Sequence, residues 1–168
     1  MPPTAEHDRC LALLDEHRGI LFKVANTYCP RAEDRDDLVQ EMSLQVWRSY
    51  PRFDGRCKFS TWMYRIALNV AISFHRAERA HHHLLSGDDH LRDLPASDHG
   101  PPPEDVQALR GFIEGLDGLN KALVLLYLDD HSHAEIAEIL GITATNVATK
   151  ISRIKERLRQ GFAPAPTA

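Results

Sequence analysis

The sequence has few cysteines, no long apolar run and no excess of positive charge. The three cysteines, Cys10, Cys29 and Cys57, lie far apart and form no CxxC pair, which argues against a disulfide framework and fits a reducing compartment. The longest apolar run, Ala122 to Leu128, is far too short to cross a bilayer. The first residues are polar and lack the apolar core of a signal peptide. We therefore expect a soluble, cytoplasmic protein with no membrane insertion.

Charge and motifs exclude further classes of protein. The formal net charge is -4, so the chain does not coat nucleic acid through bulk charge, and any such contact must come from local basic clusters. There is no Gly-rich phosphate loop, nucleophile elbow or HExxH motif, and we expect neither an enzyme nor a cofactor. The length of 168 residues suits one ordinary domain or two small ones.

Apolar residues recur with helical spacing throughout, and no segment alternates long enough to predict a strand. Pro30 and Pro51 end the first two stretches, and Ser60 or Thr61 can cap the third. We predict an all-α fold of two small helical domains, 6–78 and 106–160, joined by a flexible, Pro-rich linker at 79–105. The apolar stripes expected in the first domain are Leu11, Leu14, Leu21, Val24, Ala25 and Tyr28; Leu38, Met42 and Val46, with Val39 and Trp47; and Trp62, Ile66, Val70 and Phe74.

The second domain carries clear helix boundaries. A first helix is expected from about Val106 to Leu116, and Asn120 is expected to cap the apolar helix KALVLLYLDD. Ser132 with Glu135 predicts a capping box, and Gly141 a left-handed turn that ends the next helix. Thr143 or Thr145 then opens the last helix.

The last two helices predict a helix-turn-helix. In the final helix Val147, Ile151, Ile154 and Leu158 form an apolar stripe, and a polar face lies about 100° away. Short polar side chains near the start of such a helix reach base edges in the major groove, while cations neutralise phosphates. The alternative is an ordinary hairpin with a solvated charged face, which the agreement of cap, turn, stripe and basic face disfavours. The residues of the predicted DNA-reading face are Thr143, Thr145, Asn146, Thr149, Lys150, Arg153 and Arg157, with Ser152.

Basic and aromatic residues interleave in the segment SYPRFDGRCKFSTWMYRIALN, residues 49–69. This pattern suits single-stranded DNA, because bases stack on rings while cations neutralise the backbone. The alternative is that the aromatics are core. Helical spacing favours that alternative for Trp62, and it is at least as good for Phe53 and Phe59.

Two histidine groups invite a metal-site interpretation that we reject. His81 to His83 lie in the predicted linker, where adjacent histidines seldom converge on one ion. Asp129 and Asp130, with His131 and His133, are expected to form a solvated helix end.

The stretches DRDDLVQEMSLQVWRSYPRFDGRCKFSTWMYRIALN and LLYLDDHSHAEIAEILGITATNVATKISRIKERL resemble a bacterial RNA polymerase sigma factor of the extracytoplasmic-function type, in the sigma-70 family. The likeness covers about residues 8–78 and 106–160, in the family's order. The chain departs from the family at DDHSHAEIA and at Ala148, which stands where many members carry a cation, so base preferences do not transfer.

The resemblance implies a transcription initiation factor whose partners are core RNA polymerase and promoter DNA, with an anti-sigma factor as a further partner in many members. The first block then binds polymerase and captures an unstacked promoter base, and the last helix reads duplex. The implied polymerase contacts are Asp37, Gln40, Glu41 and Arg48. The implied melted-DNA contacts are Arg56, Lys58, Ser60, Arg65 and Asn69.

Two other classes remain open from the residues alone. A stand-alone helix-turn-helix regulator would bind duplex DNA tightly by itself, often as a dimer on a palindrome. A metal-dependent enzyme would use the histidine cluster, and metal analysis would exclude it.

Overall fold

The computed structural model describes residues 5–84 and 102–162, and those residues form helices and turns without a strand. This confirms the predicted all-α fold. The chain divides into two compact units between Pro101 and Pro102, and each is described by itself. The elements are α1 (Ala5–Glu16), α2 (Arg18–Tyr28), α3 (Ala32–Ser49), a 3-10 turn (Tyr50–Arg52), α4 (Phe59–Leu84), α5 (Glu104–Glu114), α6 (Gly118–Leu128), α7 (His133–Leu140) and α8 (Ala144–Phe162).

Helix α4 extends into the segment that was predicted as linker. Helix α4 continues to Leu84, so residues 79–84 are helical, and α5 starts at Glu104 immediately after Pro103. Proline does not continue a helix but is tolerated just before one, which accounts for that start. Residues 85–101 of the predicted linker lie outside the described residues.

The first unit is built on α4, which packs against both α2 and α3. Helix α3 contributes the buried stripe Leu38, Met42 and Val46, as predicted. The prediction for α4 was wrong: Trp62, Ile66, Val70 and Phe74 are all only half-buried. The buried centre of the helix is formed instead by Met63, Ala67 and Ala71, each 0% exposed.

The displaced stripe reflects the two contacts of α4. Because the helix packs against both α2 and α3, its buried face is broad and includes Tyr64 and Leu68 besides Met63, Ala67 and Ala71. Trp62, Ile66 and Val70 lie beside that face and are half-buried.

The first predicted stretch is two helices rather than one. Helix α1 ends at Glu16, and Ile20 donates its backbone N–H to the carbonyl of His17, a tight turn that separates α1 from α2. The turn breaks the register, because residues on its two sides no longer share a face. Leu11, predicted to be core, is 52% exposed, and Cys10 is buried in its place.

In the second unit α6 is the central helix, with Ala122, Leu123 and Leu126 fully buried. Its cap is Asp117, not Asn120 as predicted. The Asp117 carboxylate accepts from the backbone N–H of Asn120 at 2.8 Å and from its side-chain amide at 3.1 Å. The helix therefore starts at Gly118, because the Asp117 carboxylate satisfies the free N–H of Asn120 in the first turn.

The helix-turn-helix forms as predicted. Ser132 and Glu135 make the capping box, with bonds of 2.8 Å and 3.1 Å. Gly141 has φ +69°, the left-handed turn that ends α7. Thr143 opens α8, since its hydroxyl accepts from the backbone N–H of Asn146 at 3.1 Å. Helix α8 packs its buried residues Val147, Ile151 and Ile154 against α6 and α7.

Gly141→Ala is expected to destabilise the second unit. An added Cβ meets nothing within 4 Å, so the cost is backbone strain alone, about 1 to 2 kcal/mol. Native-state hydrogen exchange of the α6 and α8 amides measures it, and unchanged protection would disprove the left-handed turn.

Gly111→Ala is the matched control for this substitution. Gly111 lies within α5, and a Cβ there also meets nothing within 4 Å. Because its backbone is helical, alanine is expected to stabilise the unit by about 0.5 to 1 kcal/mol.

Candidate nucleic-acid interface

The loop that joins the 3-10 turn to α4 presents basic side chains to solvent. Gly55, at φ +75°, turns the backbone. The carboxylate of Asp54 then accepts from the backbone N–H of Arg56 at 3.1 Å and pairs with its guanidinium at 3.2 Å. The Arg56 side chain is 90% exposed, so this pair adds little stability but fixes the shape of the loop. Lys58 is also exposed.

An aromatic cluster of Tyr50, Phe53, Phe59 and Trp62 supports this loop. Its ring centroids lie between 5.0 and 6.4 Å apart, with one stacked pair and the others tilted or edge-on. Phe59 is 8% exposed and belongs to the core. The other three are half-buried, so each packs on one side and keeps surface on the other. The cluster is thus partly core and partly surface.

Helix α4 extends the basic surface along one face. Trp62, Arg65 and Asn69 are spaced three and four apart, which places them on the same side. Asn69 is exposed, and Arg65 is half-buried. Ser60, predicted with them, is half-buried and lies on the line of the buried Tyr64, on the other side of the helix from Asn69. The structure therefore brings Arg65 and Asn69 together but sets Ser60 apart.

The outer face of α3 gathers the four predicted protein-contact residues. Asp37, Gln40, Glu41 and Arg48 are all exposed, within about 100° of one another. Leu44, which the sequence analysis did not select, lies in the middle of this face and is 40% exposed. The spacing 37–41–44–48 places Leu44 on the face of the four polar residues, and that position could have been read from the sequence.

On α8 the predicted DNA-reading face is turned away from the packed stripe. Thr145, Asn146, Thr149 and Arg153 are exposed, and Lys150 is half-buried. The Thr149 hydroxyl donates to the carbonyl of Thr145 at 3.0 Å, which leaves its oxygen as an acceptor. The remaining members are Thr143, the exposed helix cap, and Arg157, an exposed cation whose guanidinium lies 5.9 Å from the Phe112 ring centroid.

His131, one of the residues considered for a metal site, contacts neighbouring groups of the fold. The imidazole of His131 lies 3.3 Å from the Leu126 carbonyl and 3.8 Å from the Asp129 carboxylate, in the turn after α6. In 5–84 and 102–162 no three His, Cys, Asp or Glu side chains are grouped to hold a metal ion. His81 is exposed at the end of α4, and the side chains of His82 and His83 lie outside the described residues.

No helix in the same ranges is long and apolar enough to span a bilayer.

Comparison with protein families identifies the chain. Residues 13–81 match Sigma-70 region 2, and residues 107–158 match Sigma-70 region 4. The chain belongs to the sigma-70 family, in its extracytoplasmic-function group. It is 27% identical over 167 residues to the ECF RNA polymerase sigma factor SigW of Bacillus subtilis, covering 92% of this chain and 89% of that one.

Other proteins similar to this chain are also sigma factors. The RNA polymerase sigma factor NccH of Alcaligenes xylosoxydans xylosoxydans is 28% identical over 154 residues, covering 87% of this sigma factor and 82% of the relative. Among solved structures, the sigma factor RpoE of Bartonella quintana, in complex with the anti-sigma factor NepR, superposes with a TM-score of 0.67 at 19% identity. That likeness covers 89% of this chain and 94% of the other, and it concerns the fold.

Cys57 is expected to be the fast-reacting thiol of the native protein. It is half-buried in the basic loop, whereas Cys10 and Cys29 are buried. Burial, and then the charge of Glu6, raise the pKa of the Cys10 thiol, so less of it is the reactive thiolate at neutral pH. Iodoacetamide labelling read by peptide mass analysis is expected to modify Cys57 first, and Cys10 only after unfolding. Equal labelling rates in the native protein would contradict this placement of the loop.

Proposed function

We propose that this sigma factor binds core RNA polymerase, directs it to promoters and helps to open them. The observation that carries the proposal is the presence of both sigma-70 regions in one chain, each with an exposed polar face of its own. It catalyses nothing itself and needs no cofactor, since the polymerase supplies the chemistry. It acts in the cytoplasm, where the polymerase is.

The outer face of α3 is the proposed polymerase contact. Asp37, Gln40 and Glu41 offer acceptors and an amide, and Arg48 offers a guanidinium, all exposed beside Leu44. An apolar residue within a polar rim is the usual composition of a protein-binding surface.

The basic loop and the exposed face of α4 are the proposed site for melted DNA. Arg56 and Lys58 neutralise the backbone, and Arg65 and Asn69 follow Trp62 on the same side of α4. The amide of Asn69 both donates and accepts, so it can bond a base edge bidentately. Ser60 contributes less directly, because it lies on the other side of the helix.

Helix α8 is the proposed reader of the duplex element. Thr145, Asn146 and Thr149 lie in its first two turns and reach base edges, while Lys150, Arg153 and Arg157 follow as phosphate contacts. Thr143 caps the helix and orients it. The domain bounds proposed from the sequence are 6–78 for polymerase and melted DNA and 106–160 for duplex, and their helices extend to Leu84 and begin at Glu104.

An inhibitory protein is a further proposed partner. The RpoE structure that this fold resembles contains the anti-sigma factor NepR. We propose that a protein of this class regulates this sigma factor as well.

Promoter-directed transcription with purified core polymerase tests the function. The chain is expected to give discrete starts on a genomic library with core polymerase and to bind duplex only weakly without it. Tight duplex binding by the chain alone, as a dimer on a palindrome, would favour the stand-alone regulator instead.

Asn69→Ala isolates the melted-DNA site within that assay. Loss of the amide is expected to slow opening of a duplex promoter at least tenfold, because base capture must offset an unstacking cost of a few kcal/mol. A defect of the same size on a premelted template assigns the loss to base capture. Asn26→Ala, an exposed asparagine on α2, is the matched control. If Asn69→Ala forms open complexes at the wild-type rate on both the duplex and the premelted template, the assignment is refuted.

A further inference from the structure

A concave recess lies where α6 meets α8 in the second unit. It is lined by Asn120 from α6 and by Lys150, Arg153, Ile154 and Arg157 from α8. Ile154 is 7% exposed and forms an apolar floor. The polar lining consists of an amide and three cations from two separate helices.

The three cations of this recess form no salt bridge among the described residues, although the Asp117 carboxylate is bonded to the lining amide of Asn120. Elsewhere on α8, Arg159 pairs with Glu156 at 3.5 Å, and the Lys155 ammonium lies 4.4 Å from the Tyr127 ring centroid. In the described part of the chain, no salt bridge joins Lys150, Arg153 or Arg157 to a carboxylate. Like charges that converge without a counter-ion repel one another, so the recess is prepared for an anion supplied from outside.

Two features position the lining before any ligand binds. The Asn120 amide nitrogen is held by the Asp117 carboxylate at 3.1 Å, which uses one of its two N–H groups and leaves the second. The Arg157 guanidinium lies 5.9 Å from the Phe112 ring centroid, at the edge of the range in which an aromatic face attracts a cation. An amide and a guanidinium whose orientations are already restricted lose less entropy when they bind.

We propose that this recess binds one phosphate group, with Asn120 as a ligand contributed from outside the helix-turn-helix. The guanidinium groups of Arg153 and Arg157 and the ammonium of Lys150 supply the charge-assisted hydrogen bonds that phosphate prefers. Asn120 supplies a neutral donor from the facing helix. No local sequence pattern indicates this role, because Asn120 lies 30 residues before Lys150.

The phosphate has two chemical sources, a DNA backbone or a free phosphate compound. The backbone source rests on the proposed function, since it requires α8 to dock on duplex. In that arrangement the first turns of α8 read base edges while the recess holds a flanking phosphate. The phosphate site itself does not depend on the promoter function.

Inorganic pyrophosphate is the probe for the site. It is titrated into the full chain while backbone and side-chain amide NMR shifts are followed. We expect saturable shifts at Asn120 and along 150–157, and binding about tenfold weaker in Arg157→Ala. Arg159→Ala removes the same charge from the same helix outside the recess, and it is expected to bind as wild type does. Shifts spread over all lysines and arginines, or equal weakening by both variants, would mean an adventitious ion only and overturn the proposal.

Asn120→Asp is the second variant, because it replaces the donating amide with a carboxylate of nearly the same size and removes the side-chain bond to Asp117. It is expected to abolish the pyrophosphate shifts while the chain keeps its helical circular dichroism. If the shifts persist in the folded variant, Asn120 is not a ligand and the proposal fails.

Duplex binding by the polymerase holoenzyme then identifies the source. The quantity measured is the slope of log affinity for duplex against log salt concentration. If the recess holds a backbone phosphate, Arg157→Ala lowers this slope by about 0.9, and Arg159→Ala does not. If Arg157→Ala keeps the wild-type slope although it binds pyrophosphate more weakly, the source is a free phosphate compound and the backbone source is excluded. Failure of promoter-directed transcription leaves the pyrophosphate result unchanged, so the two proposals fail separately.

Discussion

The close contact of α4 with α2 and α3 determines what the first unit can offer to a partner. Met63, Ala67 and Ala71 are fully buried there, which fixes the rotation of α4 about its axis. Because side chains advance by about 100° per residue, that rotation also decides that Asn69 is exposed and that the half-buried Ser60 lies on the other side of the helix. Trp62 lies beside Phe53, at a centroid distance of 5.0 Å. The candidate DNA surface thus consists of the residues that the packing of α4 leaves at the surface.

In the second unit, helix caps and a glycine turn determine which face of α8 is exposed. The Ser132–Glu135 capping box, the left-handed Gly141 and the Thr143 cap fix where α7 ends and α8 begins. With those ends fixed, burial of Val147, Ile151 and Ile154 leaves the polar face of α8 outward. The proposed contact with DNA needs no overall positive charge, since Lys150, Arg153 and Arg157 share one face of α8.

The elements that could be predicted from the sequence are those set by local rules. The capping box and the glycine turn depend on residues within one or two turns of each other, and both are confirmed. The α3 stripe also followed from periodicity, because Leu38, Met42 and Val46 are its large apolar residues at helical spacing. Sigma-factor membership was predicted from two long motifs and is confirmed.

The features that escaped prediction depend on tertiary contacts. Periodicity favoured Trp62 and Ile66 as core, whereas contact with two helices buries Met63, Ala67 and Leu68 instead. The break at His17 left Leu11 exposed, and no proline or strong cap marks that turn in the sequence. The recess that joins Asn120 to Arg157 requires two helices to meet, which no spacing within one helix reveals.

Site-specific crosslinking from promoter DNA tests the central claim, that each unit holds DNA in a different state through the face its packing leaves exposed. The full chain, bound to core polymerase, is irradiated on a promoter carrying 4-thiothymidine in the melted segment or in the upstream duplex. The account predicts that the melted position crosslinks within 53–69 and the duplex position within 145–157. Crosslinking of both positions to the same unit, or the reverse assignment, would contradict it.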